Sequence, residues 1–409
     1  CDSPAPRRLP GLMTLPQPAA EAPLLLIPGP TPVPRQVLEA LARPTLGHGS
    51  AAAAAELSRL QQAVRRSLGY TAADAEGGPA VLVLAGSGTS AMESALVNTV
   101  APGESVVVIS HGYFGDRFAA IAAAHGAVVE EVRCEWGQQV GVQEVERALA
   151  KSGAGVVTAT HVDTANGVAA PFAEYAEVAR AHDALLLLDA VASAGGMPID
   201  MAANGVDVVI TASQKAFAMP PGLAIVVPSE RALEHRRRLS GGAGYFADWL
   251  NWLEPMADPS RRYFATLPTN LIAAGAVALE IAEQEGWPER FQRHRRMARA
   301  VRRGLRAIGL PTMCGDELLG STVSALALPP GISPTALRAE VSSEGVAVAG
   351  GLAAWSESAI RIGHMGSTSL PELLRGTAAL EQALLRLGAP VERGAGVAEL
   401  LCGWESEAS

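Results

Sequence analysis

Lysine is almost missing from this sequence. Of its 32 basic residues, two are lysines, Lys151 and Lys215, and the other 30 are arginines. Arginine serves most surface and ion-pairing roles of lysine, but it stays protonated and cannot act as a neutral amine toward a carbonyl. A retained lysine is therefore a candidate for amine chemistry. Lys151 closes the run Val142–Lys151 just before Gly153, where a cation suits a helix C-terminus. Lys215 has no such explanation.

Other scarcities set bounds. The four cysteines (Cys1, Cys134, Cys314, Cys402) form no CxxC pair and no ligand spacing with histidine, which argues against a disulfide framework and a metal site and fits a reducing cytoplasm. Clustered positive charge is lacking: the net charge is -9 and the pI near 5.5, which argues against nucleic acid or an anionic membrane as a partner. The longest apolar runs, such as Ala80–Ala85 and Ala184–Leu188, fall far short of the ~20 residues of a membrane-spanning helix. Residues 1–22 are rich in Pro and Ala without a basic start or an apolar h-region, and read as a loose arm rather than a signal peptide.

What the chain does have is 409 residues, 49 % of them hydrophobic, enough for one large core and a smaller one. From Val81 to Val227, short apolar runs alternate with helical patterns, the signature of a parallel sheet. The expected strands are Val81–Leu84, Ser105–Ile109, Ala127–Val132, Gly155–Thr160, Ala184–Asp189, Asp207–Thr211 and Leu223–Val227. After Pro228 the rhythm changes to a long helical region, Asn270–Ile308, broken at Gly286–Pro288, and then to a small α+β pattern. The expected organisation is an arm (1–22), a large α/β domain (23–280), a small C-terminal α+β domain (281–388) and a weakly ordered tail (389–409). Trp249 and Trp252, at helical spacing, are expected to fill an interface.

Three features fall just after strands, where parallel sheets place their ligands. Gly86–Thr89 precedes a helix: its glycines and hydroxyls can cradle a phosphate at the helix N-terminus, or form a tight turn with a serine cap. Asp189 ends a buried strand and needs a partner, which a protonated pyridine nitrogen, a helix end or an ion pair could supply. Lys215 follows the strand Asp207–Thr211, 26 residues beyond Asp189, so the two can face one ring from neighbouring strands. A phosphate cradle, a pyridinium partner and an imine-forming amine are together the requirements of pyridoxal 5'-phosphate. A nicotinamide dehydrogenase would show GxGxxG after the first strand, and Gly86-Ser-Gly-Thr-Ser-Ala lacks the third glycine.

The order of motifs resembles the class V aminotransferases, in particular their alanine-glyoxylate and serine-pyruvate branch. These motifs are Leu26–Pro34, Gly86–Glu93, His111–Arg117, Asp189–Ser193, Ser213–Lys215, Pro268–Asn270 and Arg361–Met365, within a similarity covering residues 24 to 388. The resemblance implies fold type I, a large mostly parallel α/β/α domain with a smaller C-terminal α+β domain, and a homodimer with shared active sites. It implies that Lys215 carries the cofactor as a Schiff base and moves the proton, while Asp189 pairs with the pyridine nitrogen. By the same resemblance Ser87, Gly88, Thr89 and Gln214 hold the phosphate, Phe114 and Val191 cover the ring faces, and Thr164 reaches the phenolic oxygen. Tyr263 and Thr266 reach the phosphate from a partner subunit, and Gly29 and Arg361 form the substrate site, with Arg361 gripping the carboxylate. The chain departs from the family at Asp163-Thr-Ala-Asn-Gly167, where Glu-Ser-Ser-Thr-Gly is common, and around His48.

The implied activity is amino transfer from a small amino acid to a 2-oxo acid such as glyoxylate or pyruvate. Two other readings stay open: different pyridoxal-phosphate chemistry (a lyase, or transamination of an aminophosphonate or ureidoglycine), and a noncatalytic partner protein on the same fold. His161 and His364 are read as packing residues.

Overall fold

The computed structural model describes residues 22–258, 260 and 262–406; the arm expected over residues 1–22 lies, apart from residue 22, outside them. Seven strands form the main sheet, in the order Leu82–Ala85, Leu223–Pro228, Val208–Ala212, Leu185–Asp189, Val156–Thr160, Ser105–Ser110 and Val128–Arg133. Each begins and ends within a residue of its expected position. Six run parallel; Leu223–Pro228 runs antiparallel to both neighbours. The sheet is thus mostly parallel, as expected for the large domain. The central strands are apolar on both faces, with Val106–Ile109 and Leu185–Leu188 almost fully buried, as a sheet covered on both sides requires.

A second sheet pairs Ala349–Gly350, Ala359–Gly363 and Val323–Ala327 antiparallel, beside its own apolar core. The packing changes over at Gly286, between the helices Thr269–Glu285 and Trp287–Ala307. Leu24–Leu25 pairs with Val346–Ala347, and Leu26 packs in this second core.

Two expectations change. Trp249 and Trp252 are buried in the large core within a single chain, with indole N–H groups donating to Ser94 Oγ (3.1 Å) and Phe246 O (2.6 Å), so they fill no interface. The tail contains a helix, Ala395–Ser406, packed along Trp287–Ala307. Small residues permit the approach: a Cβ on Gly304 would stand 2.5 Å from Gly396 O. Trp404 closes the contact under the Arg296 guanidinium, 3.8 Å away. Among the described residues no helix is long and apolar enough to cross a membrane.

Candidate active site

The C-terminal ends of the parallel strands open into a cavity of about 190 Å³. Ser87 caps the helix Gly88–Val97, accepting from Ser90 N, so the capping reading holds for its side chain. The N–H groups of Gly88 and Thr89 begin that helix, where no preceding turn supplies a carbonyl. Gly88 lets Val191 pack close: a Cβ there would stand 3.0 Å from Val191 Cγ2, a tight contact. Gln214, also lining the cavity, carries a buried Oε1 with no hydrogen-bond partner.

Asp189 ends its strand at the cavity floor, 3 % exposed. It accepts from Val191 N at 2.9 Å and from Thr160 Oγ1 at 3.5 Å, Thr160 being its register partner on the next strand. Burial pushes its pKa up to about 7, with Asp163 adding to the rise; the Val191 amide, Lys215 and Thr160 oppose it. Lys215 stands in the same cavity. Burial, aided by Arg361, brings its amine down to about 8, against the pull of Asp189. Its Nζ donates to Pro28 O, and Gly29, at φ +105°, leaves room for it: a Cβ there would lie 2.6 Å from Lys215 Cδ. Lys151, by contrast, is exposed and lies 2.8 Å from Glu130.

Phe114 and Thr164 are held together by a residue that the sequence reading treated only as a departure. Asp163, fully buried, accepts from Phe114 N (2.7 Å) and Ala165 N (2.8 Å), fixing the aromatic's helix against the Thr164 turn. Burial raises its pKa to about 6. Arg361 reaches the same turn, donating to Thr164 O (2.9 Å) and Gly350 O (2.7 Å); burial lowers it to about 10.

Arg117 lines the cavity but was not singled out as a site residue. It donates to Thr89 Oγ1 (2.9 Å) and lies 4.7 Å above the Phe114 ring. Its signal was its place in the motif His111–Arg117. Tyr263 and Thr266 are not brought into the cavity within one chain. Both are exposed, hydroxyl to hydroxyl at 3.1 Å, and the Tyr263 ring lies 5.0 Å from His48. His161 and His364 are buried away from the cavity, and burial lowers each to about 3, so both are neutral packing groups.

Comparisons with known proteins agree with this geometry. A family model described as aminotransferase class V matches residues 24–368. An uncharacterised aminotransferase of Methanocaldococcus jannaschii is 34 % identical over 379 residues, 92 % of this chain and 96 % of the relative. The L-aspartate–glyoxylate aminotransferase of Paracoccus denitrificans is 33 % identical, over 91 % of this chain and 94 % of its own. The crystal structure of an alanine–glyoxylate aminotransferase from Nostoc superposes with a TM-score of 0.85 at 31 % identity, covering 91 % of this chain and 97 % of that one.

Proposed function

The chain belongs to the class V aminotransferases, pyridoxal-phosphate-dependent transaminases of fold type I, and from that premise we propose transfer of an amino group from a small amino acid, of the alanine or serine type, to glyoxylate or pyruvate. The observation that carries this reading is a buried amine, Lys215, sharing one cavity with a buried acid, Asp189. Two of the three relatives named above include glyoxylate in their names and differ in the donor, which supports the acceptor assignment.

The residues fit the cofactor. Gln214 Oε1 lacks a partner, Gly88 leaves open the space a Cβ would fill, and Asp189 is a buried acid that burial inclines to hold its proton despite Lys215. When bound, pyridoxal phosphate supplies an aldehyde for amines and a pyridinium ring that draws electrons from the substrate Cα. Asp189 would hold the ring nitrogen protonated, and ionises fully once that cation faces it. Ser87, Gly88, Thr89 and Gln214 would bind the phosphate. Phe114 and Val191 would cover the ring, and Thr164 would reach its phenolic oxygen. Lys215 Nζ, drawn toward its neutral form by burial, would anchor the cofactor and accept the proton leaving Cα. Arg361 would take the substrate carboxylate on its planar fork, and Gly29, which leaves room for the Lys215 side chain, would complete the substrate site.

We further propose a homodimer in which Tyr263 and Thr266 serve the site of a second copy. Their exposure supports it, as does the uncovered aromatic edge of Tyr245 and Phe246, 79 % and 49 % exposed. A cytoplasmic location is supported by the free thiols Cys134, Cys314 and Cys402.

The test is a spectral half-reaction. Cofactor-loaded protein mixed separately with alanine, serine and aspartate should convert the bound aldehyde to the amine form with at least one of them. Arg361→Ala should raise the half-saturating donor concentration by about a hundredfold, in line with losing a charged bidentate contact of roughly 3 kcal/mol. No conversion with any donor would sink the transaminase reading. Turnover without an oxo acid would point to a lyase.

A further inference from the structure

Glu285 and two arginines break a local rule. Glu285 is the last residue of the helix Thr269–Glu285, where the macrodipole disfavours an anion, and Arg290 and Arg293 lie in the first two turns of the next helix, where it disfavours cations. Yet the three are buried or half-buried and joined. Glu285 Oε2 accepts from Arg290 NH1 (2.8 Å) and Arg293 NH2 (3.0 Å), and its Oε1 accepts from Arg293 Nε. Burial works to raise the Glu285 carboxyl, but Arg293 and Arg290 outweigh it and hold it below its ordinary value.

Other guanidinium donors of the pair go to main chain that carries the site. Arg290 Nε donates to Gly195 O (2.9 Å), in the loop after Asp189, and its NH2 to Ala216 O (2.6 Å), one residue beyond Lys215. Arg293 donates to Gly366 O (3.0 Å) and Thr368 O (3.1 Å), in the segment that follows the Arg361 strand. His294 Nε2 accepts from Gly366 N (3.0 Å). The stretches also touch one another: a Cβ on Gly366 would stand 3.2 Å from Lys215 O, and that carbonyl accepts from Thr31 Oγ1 at 2.9 Å. One carboxylate is thus the hub for three loops drawn from both cores.

A buried ion cluster is a poor means of gaining stability, since apolar residues of similar volume often do as well. Breaking two helix-end preferences to build one calls for a different gain. We propose that Glu285, Arg290 and Arg293 are positioning residues that hold the Lys215 loop in register with the Arg361 strand, so that amine and carboxylate grip meet the same substrate. The mechanistic part of this rests on the transaminase reading; the placement of Lys215 does not.

The chain's two lysines supply the test. In the full-length protein freed of cofactor, labelling of Lys215 by an amine reagent across pH is read by peptide mass against exposed Lys151 as internal standard. Glu285→Gln and Arg293→Met should each move the Lys215 midpoint by about half a pH unit or more, a differential of roughly 0.7 kcal/mol in the lysine's surroundings, with Lys151 unchanged. In the cofactor-loaded variants the maximal half-reaction rate should fall about tenfold or more while the half-saturating donor concentration stays within about threefold, as misplacement of reacting groups predicts. An unmoved Lys215 midpoint in both variants, whether or not melting temperature or rate falls, overturns the proposal, because the cluster is then structural filling. Failure of the wild type to react with any donor strikes the transaminase reading alone, since the labelling shift stands without it.

Discussion

The cavity around Lys215 and the edge bearing Tyr263 and Thr266 are built on opposite terms. In the cavity, residues up to 128 positions apart, from Ser87 to Lys215, are gathered by strand ends, buried and left electrostatically strained: Asp189 is pushed up and Lys215 down. At the edge, two hydroxyls three residues apart satisfy each other in the open. The difference teaches where to look for missing contacts. A buried group at odds with its surroundings calls for a ligand, whereas an exposed one that a motif assigns to the site calls for another chain.

The sharpest way to break this contrast is Lys215→Ala. If the cavity is the reaction site, borohydride will fix no cofactor to residue 215 and turnover will fall by about ten-thousandfold, the upper range for losing a positioned proton carrier that is also the covalent anchor. Lys151→Ala is the matched control and should leave turnover within about twofold, because an exposed ion pair is worth little. Residual covalent fixation in Lys215→Ala would move the chemistry elsewhere.

Asp189 gives the next largest effect, and it is readable without catalysis. Its folded pKa of about 7 lies above the ordinary 3.8. Between those values the folded chain holds a proton that the unfolded chain has lost, so this group makes cofactor-free protein less stable as pH rises from 4 to 7. The cumulative loss is up to about 4 kcal/mol. Asp189→Asn should flatten that part of the stability profile, measured by denaturant melts, and should weaken cofactor binding. Parallel profiles for variant and wild type would show that Asp189 is not held protonated.

Much of this was legible in the residues. Apolar runs punctuated by glycine and proline located every strand of the main sheet, because a strand buried on both faces leaves no other pattern. Strand direction is not a local property, so the run Leu223–Val227 does not itself announce that it departs from the parallel majority. The ten residues between Ala212 and Leu223 were the available clue, since a parallel crossover needs a dozen or more. Lys215 stood out by its rarity and Asp189 by ending an apolar run. Arg117 was hidden among 30 arginines, and Asp163 looked like a deviation because its role lies in two backbone amides it accepts from. The Glu285 cluster joins loops far apart in sequence, which no periodicity can announce. Tyr263 and Thr266 were visible only through the motif resemblance, and a single chain does not bring them to the cavity.

That last pair sets the smallest and most discriminating effect. Within one chain, replacing Tyr263 by Phe and Thr266 by Val removes a surface hydrogen bond, and melting temperature should hardly change. If a second copy presents these hydroxyls to the phosphate, the double variant should bind cofactor about tenfold more weakly, as two modest hydrogen bonds to a charged group would give. Mixing then separates the two architectures. Chains carrying Lys215→Ala combined with chains carrying Tyr263→Phe and Thr266→Val should, on subunit exchange, form hybrid dimers in which one site takes Lys215 from the second chain and both hydroxyls from the first. That site is intact, so tight cofactor binding and turnover should return above the sum of the parents. A site completed within each chain would gain nothing from mixing, because every Lys215 would keep its own altered residues at 263 and 266.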